Sequence, residues 1–348
     1  MDERSWMRLD AEPSAHALPR ALAAHDPLGG RDIGWVTQMQ PFVRHFSRPG
    51  DTVFDPFAGA GTTLLAAQLE GRQALGCEVD AGRVALIGQR FAQLGLPAPP
   101  VIASSCDQLG DEALPRFDLC LSNVPYFGCD WPGEAQAGQL YGSDSYAAHL
   151  AGLRAVFHRV GQRLPEGGFC IAMVQNLRLG GRMLPLAFDL AQILGSLFVL
   201  QEERVIVYER PGAAGAALPA FDTRTDRSHE YALIARKQRE AVDLHATAAL
   251  LRALRAEGHA FTLFGSFARW LADPASATPA DADLRVAADE ATLGPLLAAL
   301  AARGFALHSW GERVPLPLVM APWRGRHYFR ATRVDRQGRR VQLDLCYE

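Results

Sequence analysis

Paired cysteines are missing from this chain. Its six thiols, Cys77, Cys106, Cys120, Cys129, Cys170 and Cys346, lie far apart with no C-x-x-C spacing. That speaks against a zinc knuckle and a disulfide scaffold and reads as reduced thiols in a cytoplasmic protein. A positive excess is missing too: 35 Lys and Arg stand against 38 Asp and Glu, for a net charge of −3, so no overall positive field advertises nucleic acid. Long apolar runs are absent. The longest, Leu186 to Leu200, is broken by Asp189 and Gln192, and the first twenty residues mix Asp2, Glu3, Arg4, Arg8 and Asp10 without an apolar core. Neither a secretory signal nor a membrane span is expected. Lysine is down to one residue, Lys237.

What is present is a folded composition, 49% apolar and 21% charged, over 348 residues, a length that predicts two domains. From Thr52 to Cys170, apolar runs alternate with helix-like stretches: TVFD, Thr62 to Glu70, QALGCEV, Ala81 to Leu94, VIASS, FDLCLS, and a long helix from Ser145 to Arg163 stopped at Pro165-Glu166-Gly167-Gly168 before FCIAMV. This is the rhythm of a parallel, doubly wound α/β sheet. RVIVYE and EYALIA add two strands, separated by a Gly/Ala/Pro-rich loop. The composition shifts after Lys237, which sets an N-terminal extension at 1–28, a first domain at 29–238 and a smaller α+β domain at 239–348.

Two strand ends carry the chemistry of the first domain. VFDPFAGAGTT (53–63) closes a strand in Asp55 and turns through Gly59 and Gly61 into a helix, where glycines let the backbone approach a ligand. The third glycine of a dinucleotide loop is absent, since Leu64 follows, so pyrophosphate is disfavoured. The next strand ends in Glu78, placed to accept from ribose hydroxyls, and Asp107 follows VIASS, where it would sit beside an adenine. Three strand-end acids around a glycine turn, with no Lys for a phosphate, suit a cationic nucleoside such as S-adenosylmethionine. At the fourth strand end stands SNVPYF (122–127), an amide, a rigid ring and an aromatic after an apolar run.

DPFAGAGTT resembles the DPFAGSGTT signature of amino-methylating DNA methyltransferases, and SNVPYF resembles their D/N/S-P-P-Y/F/W motif, over residues 30–237. The resemblance implies a Rossmann-like methyltransferase sheet with an antiparallel last strand. It implies S-adenosylmethionine held by Asp55, Phe57, Gly59, Gly61, Thr62, Glu78 and Asp107, and catalysis by Asn123, Pro125 and Tyr126. Asn123 and a backbone carbonyl near Val124 or Pro125 would accept the two hydrogens of an exocyclic amine, Pro125 would fix the turn, and Tyr126 would stack on an extruded base. Val124 departs from the family's second-position Pro, and the variant also resembles the motif of ribosomal RNA adenine dimethylases. The resemblance also implies that Pro41 and Phe42 line the cofactor, as the family's N-terminal motif does, with a core role as the alternative for Phe42.

In the second domain, FTLFGSFARWL offers Gly265 and Ser266 in a turn, PADADLRV places Asp281 and Asp283 on one face of a strand, and VQLDLCY adds Asp344. The pattern resembles minimal nucleotidyltransferases, which implies Mg²⁺ on the three aspartates and a nucleoside triphosphate on the Gly-Ser turn. The fourteen residues between Ser266 and Asp281 exceed the usual gap. Seven arginines and His327 lie between Arg324 and Arg340 against one acid, Asp335, and read equally as a phosphate track or as a charged sheet edge. The expected function is methylation of an exocyclic amine on a nucleobase, in DNA first. The alternatives are RNA, a small nucleotide-like amine, nucleotidyl transfer by the second domain, or a pair of binding modules. Against DNA stand the slightly acidic chain and the lack of a long segment for target recognition.

Overall fold

The computed structural model describes every residue except 111, 133–135, 209–219, 224, 226–227, 239, 277–278 and 348. Two compact units result, Met1–Gln238 and Arg239–Glu348. The glycine-rich loop read between RVIVYE and EYALIA lies largely outside the described residues.

The first unit is built on strands β1 (Trp6–Leu9), β2 (Thr52–Asp55), β3 (Gln73–Cys77), β4 (Val101–Ile102), β5 (Leu119–Asn123), β6 (Phe169–Val174), a small hairpin β7 (Leu177–Leu179) and β8 (Arg182–Leu184), then β9 (Val199–Tyr208) and β10 (His229–Arg236). Its helices are α1 (Arg20–Ala23), α2 (Val36–Phe46), α3 (Thr62–Leu69), α4 (Ala81–Gln93), α5 (Tyr146–Arg163) and α6 (Leu186–Leu197). The main sheet runs β1-β9-β10-β6-β5-β2-β3-β4. Strands β2 to β6 are mutually parallel, while β10 is antiparallel to both β6 and β9, the mixed sheet with an antiparallel last strand that the resemblance implies.

Alternation of side chains explains why helices cover both faces. Val53, Leu119, Leu121, Ile171 and Met173 point into a core shared with α2, α3 and α4. Phe54, Cys120, Cys170, Ala172 and Val174 point into another shared with α5 and α6. Each of the Val, Leu, Ile, Met and Phe side chains among them stabilises the fold by about 1.5–3 kcal/mol when fully buried. Local signals set the helix starts: Asp80 accepts from Arg83 N at 2.8 Å and Ser145 from Ala148 N at 3.1 Å. The N-terminal segment set apart in the sequence supplies β1, which pairs in parallel with β9 through Met7 and Ile206.

The second unit contains α7 (Leu244–Ala256), β11 (Thr262–Phe264), α8 (Gly265–Ala272), β12 (Ala282–Val286), α9 (Glu290–Ala302), β13 (Ala306–Ser309), β14 (Glu312–Arg313), β15 (Tyr328–Val334) and β16 (Arg340–Tyr347). Its sheet runs β11-β12-β16-β15-β13-β14, with β12 and β16 parallel and the other pairs antiparallel. Strand β15 lies inside this sheet, so a charged edge is not what its arginines make. Arg326 pairs with Glu312, Arg330 with Asp344, Arg339 with Asp335 and Arg340 with Glu240, while Arg333 donates to the Arg303 carbonyl. Five of the seven arginines are thus engaged within the unit, which also weakens the phosphate track. No helix among the described residues is long and apolar enough to cross a membrane.

Candidate functional site

A cleft of about 870 Å³, counted to its open mouth, lies at the carboxyl ends of β2, β3 and β5. The sheet order reverses there, because β3 and β4 extend from one side of β2 and β5 and β6 from the other, and such a switch point opens a crevice. Of the residues singled out in the first domain, Asp55, Phe57, Gly59, Thr62, Glu78, Asn123, Pro125 and Tyr126 line the cleft together.

Asp55 ends β2 at 2% exposure. It accepts from Phe57 N at 2.9 Å, from Ser122 Oγ and from Thr63. Burial pushes its pKa up to about 6 although all three bonds pull the other way. Glu78 follows β3 and accepts from Gly59 N and Asp80 N, each at 2.8 Å. Burial lifts it to about 7 against those bonds and the charge of Arg83. The glycine loop therefore orients one carboxylate through its own amide and the other through the turn at Phe57. Gly59 and Gly61 take φ of +53° and +78°, which glycine adopts without strain. Gly61 also permits packing, since a Cβ there would stand 3.1 Å from Ile87. The Thr62 hydroxyl donates to the Gly34 carbonyl at 3.3 Å and accepts from Arg90 at 3.2 Å.

Two predicted residues, Gly61 and Asp107, do not line the cleft, and the alternatives left open for Phe42 resolve. Asp107 is exposed, accepts from Ser105 Oγ, and does not line the cleft; Ser105 does. The segment at 138–141 packs over that position, so closely that a Cβ on Gly138 would come 2.7 Å from Ser105 Cβ. Phe42 is fully buried in the core, stacked on Phe46, and the N-terminal contribution to the cleft comes from Asp32, Ile33, Gly34 and Met39 instead. The core role for Phe42 is the one observed.

Asn123 ends β5, and its Oδ1 is buried with no partner among the described residues. Val124 N is tied to the Met173 carbonyl at 3.1 Å, anchoring the turn to β6. Tyr126 is half-buried, and its hydroxyl donates to Glu230 at 3.1 Å. Burial lowers the pKa of His149, while the Leu140 and Pro125 carbonyls beside it raise it.

Several cleft residues carry no sequence signal of their own. Arg83, on α4, pairs with Asp26 at 2.9 Å and Asp32 at 2.8 Å, and Tyr141 donates to Asp32 at 2.6 Å. Trp131 stacks on Tyr141 with centroids 5.4 Å apart, and the Arg83 guanidinium lies 5.1 Å from the Trp131 ring. Trp131 and Tyr141 follow SNVPYF in the chain, while the acids and Arg83 come from segments far apart in sequence. Ser122 was in view but unassigned, and it joins the two motifs through Asp55.

In the second unit, Asp283 and Asp344 are register partners on parallel strands and Asp281 lies two residues before Asp283. One ligating atom from each falls within 4.8 Å of the others. Gly265, the first residue of α8, takes φ of +73°, and any Cβ there would strike Asp283 Oδ2 at 2.0 Å; Ser266 follows it in the helix. Asp344 is also the cross-strand partner of Arg330, which grips it at 2.9 and 2.7 Å.

Residues 36–89, from α2 into α4, match the family model of the DNA methylases. Within the curated relatives, 44 residues are 46% identical to the "Putative methylase YubD" of Escherichia coli (strain K12), covering 13% of this chain and 19% of that protein. The match thus spans about a fifth of that relative's length. Among solved structures, TrmN from Thermus thermophilus overlaps 62% of this chain and 52% of its own at 18% identity and a TM-score of 0.41. Magnesium protoporphyrin IX methyltransferase from Synechocystis PCC 6803, with bound SAH, overlaps 58% and 81% at 15% identity and a TM-score of 0.39.

Proposed function

We propose that this protein is an S-adenosylmethionine-dependent N-methyltransferase acting on the exocyclic amine of a nucleobase, with DNA as the first substrate to test. The observation that carries the reading is the Asn123 amide oxygen, buried and unpartnered among the described residues, on a residue that lines the cleft together with Asp55 and Glu78. A buried acceptor left unmade costs about 1–3 kcal/mol, so it suits a donor that arrives with the substrate.

The cleft's own chemistry fits the cofactor. Glu78 spends one bond per oxygen on the glycine loop and has lone pairs left for two ribose hydroxyls. Asp55 and Glu78 are carboxyl groups that burial has pushed toward neutrality, and a sulfonium-bearing ligand favours their charged forms. When bound, S-adenosylmethionine supplies a methyl carbon on a cationic sulfur and leaves as the thioether. Asn123 holds the amine by its hydrogens, which favours the pyramidal nitrogen whose lone pair attacks that carbon. Pro125 fixes the turn, and Tyr126, anchored by Glu230, offers a ring face to the base. The product ammonium releases its extra proton to solvent.

Labelled S-adenosylmethionine incubated with duplex DNA, single-stranded DNA, total RNA and a metabolite extract tests the reading. Label in DNA, lost in Asn123→Ala, is the expected result. Label in RNA or metabolites alone moves the substrate class, and label in no fraction overturns the reading.

A second reading rests on the convergence of Asp281, Asp283 and Asp344: the second unit would bind Mg²⁺ and a nucleoside triphosphate, with the Gly265-Ser266 turn on the phosphates. Divalent-dependent binding of a triphosphate, lost in Asp281→Ala, is expected, and binding that ignores the metal removes this reading.

A further inference from the structure

Among the described residues, two cleft-lining side chains bury an oxygen that has no partner, Asn123 Oδ1 and Gln139 Oε1. Asn123 ends β5. Gln139, half-buried, stands between β5 and α5 in a segment fixed on both flanks. On one flank Gln139 N donates to the Gln136 carbonyl at 3.0 Å, and Gln136 Nε2 donates to Asp80 at 3.3 Å. On the other, the Leu140 carbonyl lies 3.1 Å from His149 Nδ1, and the Tyr141 hydroxyl donates to Asp32 at 2.6 Å. Gly138 lies so close to Ser105 that a Cβ on it would come 2.7 Å from Ser105 Cβ. Gln139 is therefore held beside the turn that follows β4.

That place decides what the oxygen meets. The sheet runs β5-β2-β3-β4, with Asn123 at the end of β5, Asp55 at the end of β2 and Glu78 just past β3. A nucleoside whose ribose is held by Glu78 must send its sulfonium toward β2 and β5, where the amine is held. Its base then points the other way, toward β4 and Ser105. The other polar groups at this corner do not compete for it: Ser105 Oγ donates to Asp107, the Ser105 carbonyl takes Gln108 N at 3.1 Å, and Asp107 and Gln108 are exposed.

We infer that the Gln139 amide reads the adenine of S-adenosylmethionine, its oxygen accepting from the exocyclic amine in place of the acid expected at Asp107. This rests on the S-adenosylmethionine reading and adds the residue that selects the base. Adenine presents an N–H donor beside a ring-nitrogen acceptor, and an amide carries the complementary acceptor and donor side by side, so one side chain meets both. A site built to receive a donor rejects the analogue that lacks it more strongly than it rejects a change in size.

The test is a binding measurement on the full chain. S-adenosylhomocysteine and its 6-deamino analogue, with hydrogen in place of the amine, are titrated by calorimetry into wild type, Gln139→Met, Gln139→Glu and Asp107→Ala. Wild type should bind the amino compound about tenfold or more tightly than the deamino one, the scale of an unmet buried hydrogen bond. Gln139→Met should bring that preference to within about threefold by weakening the amino compound. Gln139→Glu keeps an acceptor and should keep the preference, as should Asp107→Ala.

An unchanged preference in Gln139→Met overturns the inference, and so does an equal loss for both compounds, which makes the side chain mere cover. A preference abolished in Asp107→Ala overturns it as well, by giving the amine to that acid. If Gln139→Met does not fold, the Gln139→Glu result still decides, because a preference lost although an acceptor is present is a negative result. Wild type that binds neither compound removes the S-adenosylmethionine reading itself, an outcome distinct from binding without discrimination.

Discussion

Asp55 and Glu78 in the first unit and Asp344 in the second are buried almost alike, at 2%, 8% and 7% exposure, yet they have been given different company. Backbone amides and hydroxyls bond the first two, and burial drives their pKa values up to about 6 and 7 even though the charge of Arg83 favours the Glu78 carboxylate. Asp344 lies against a guanidinium, and although burial opposes the charge on Arg330, Asp344 raises its pKa. Hydrogen bonds orient a carboxylate but leave its charge uncompensated, while a bidentate arginine cancels it in advance. The first corner is prepared for a cationic ligand; the second is partly satisfied before any cation arrives.

Asn123→Ala should break the first corner most severely, because it deletes an acceptor aimed at the reacting nitrogen. A loss of about a hundredfold or more in kcat is expected, with S-adenosylhomocysteine affinity within about threefold of wild type by calorimetry. Arg83→Met comes next and acts on stability. It strands Asp26 and Asp32, both now paired to a guanidinium that is 3% exposed, and removing one partner of such a buried pair costs about 3–5 kcal/mol. Denaturant unfolding of the full chain measures it; a change below about 1 kcal/mol would mean that water reaches these acids.

Arg330→Met sharpens the comparison from the other side. It leaves Asp344 beside Asp281 and Asp283 without its cross-strand guanidinium, so the second unit should lose stability in EDTA, regain it with Mn²⁺, and bind Mn²⁺ about tenfold more tightly than wild type, the equivalent of about 1.4 kcal/mol. Equal metal affinity in the two proteins would show that Arg330 does not compete for the acid.

How much of this was legible follows from the range of each interaction. The parallel sheet showed because buried strands carry unbroken apolar runs such as FCIAMV and FDLCLS, and the glycine loop showed because only glycine takes its φ without strain. Strand β1 did not show, since WMRL has no alternation and owes its conformation to pairing with β9. Asp107 does not reach the cleft: Ser105, two residues before it, lines the cleft, and Asp107 lies exposed in a three-residue 3₁₀ turn. Gln38 and Glu230 are 192 positions apart, as Arg83 is from Asp32 by 51. No local pattern announces such pairs, because tertiary packing alone creates them. The arginines of β15 read as a phosphate track or a charged edge for the same reason, since Arg330 is held by Asp344 on β16 and Arg333 by the Arg303 carbonyl after α9.

The smallest expected effect is the pH dependence of the first corner, and its sign follows from the raised pKa values. Glu78 moves from an ordinary 4.5 to about 7 and Asp55 from 3.8 to about 6. In those windows the folded chain holds protons that the unfolded chain has released. The stability these groups contribute is therefore complete below the ordinary values and is lost as pH rises through the folded ones. Ligand binding runs the opposite way, because ribose hydroxyls and a sulfonium prefer the carboxylates. S-adenosylmethionine affinity should climb as pH rises from 5.5 to 8 and level off above about 7, with Glu78 accounting for about tenfold between pH 8 and 6. Glu78→Gln removes the upper of the two steps and leaves the lower one, set by Asp55. A flat profile in wild type would mean that both acids are ionised before the ligand arrives, and the contrast with the arginine-paired Asp344 would then rest on geometry alone.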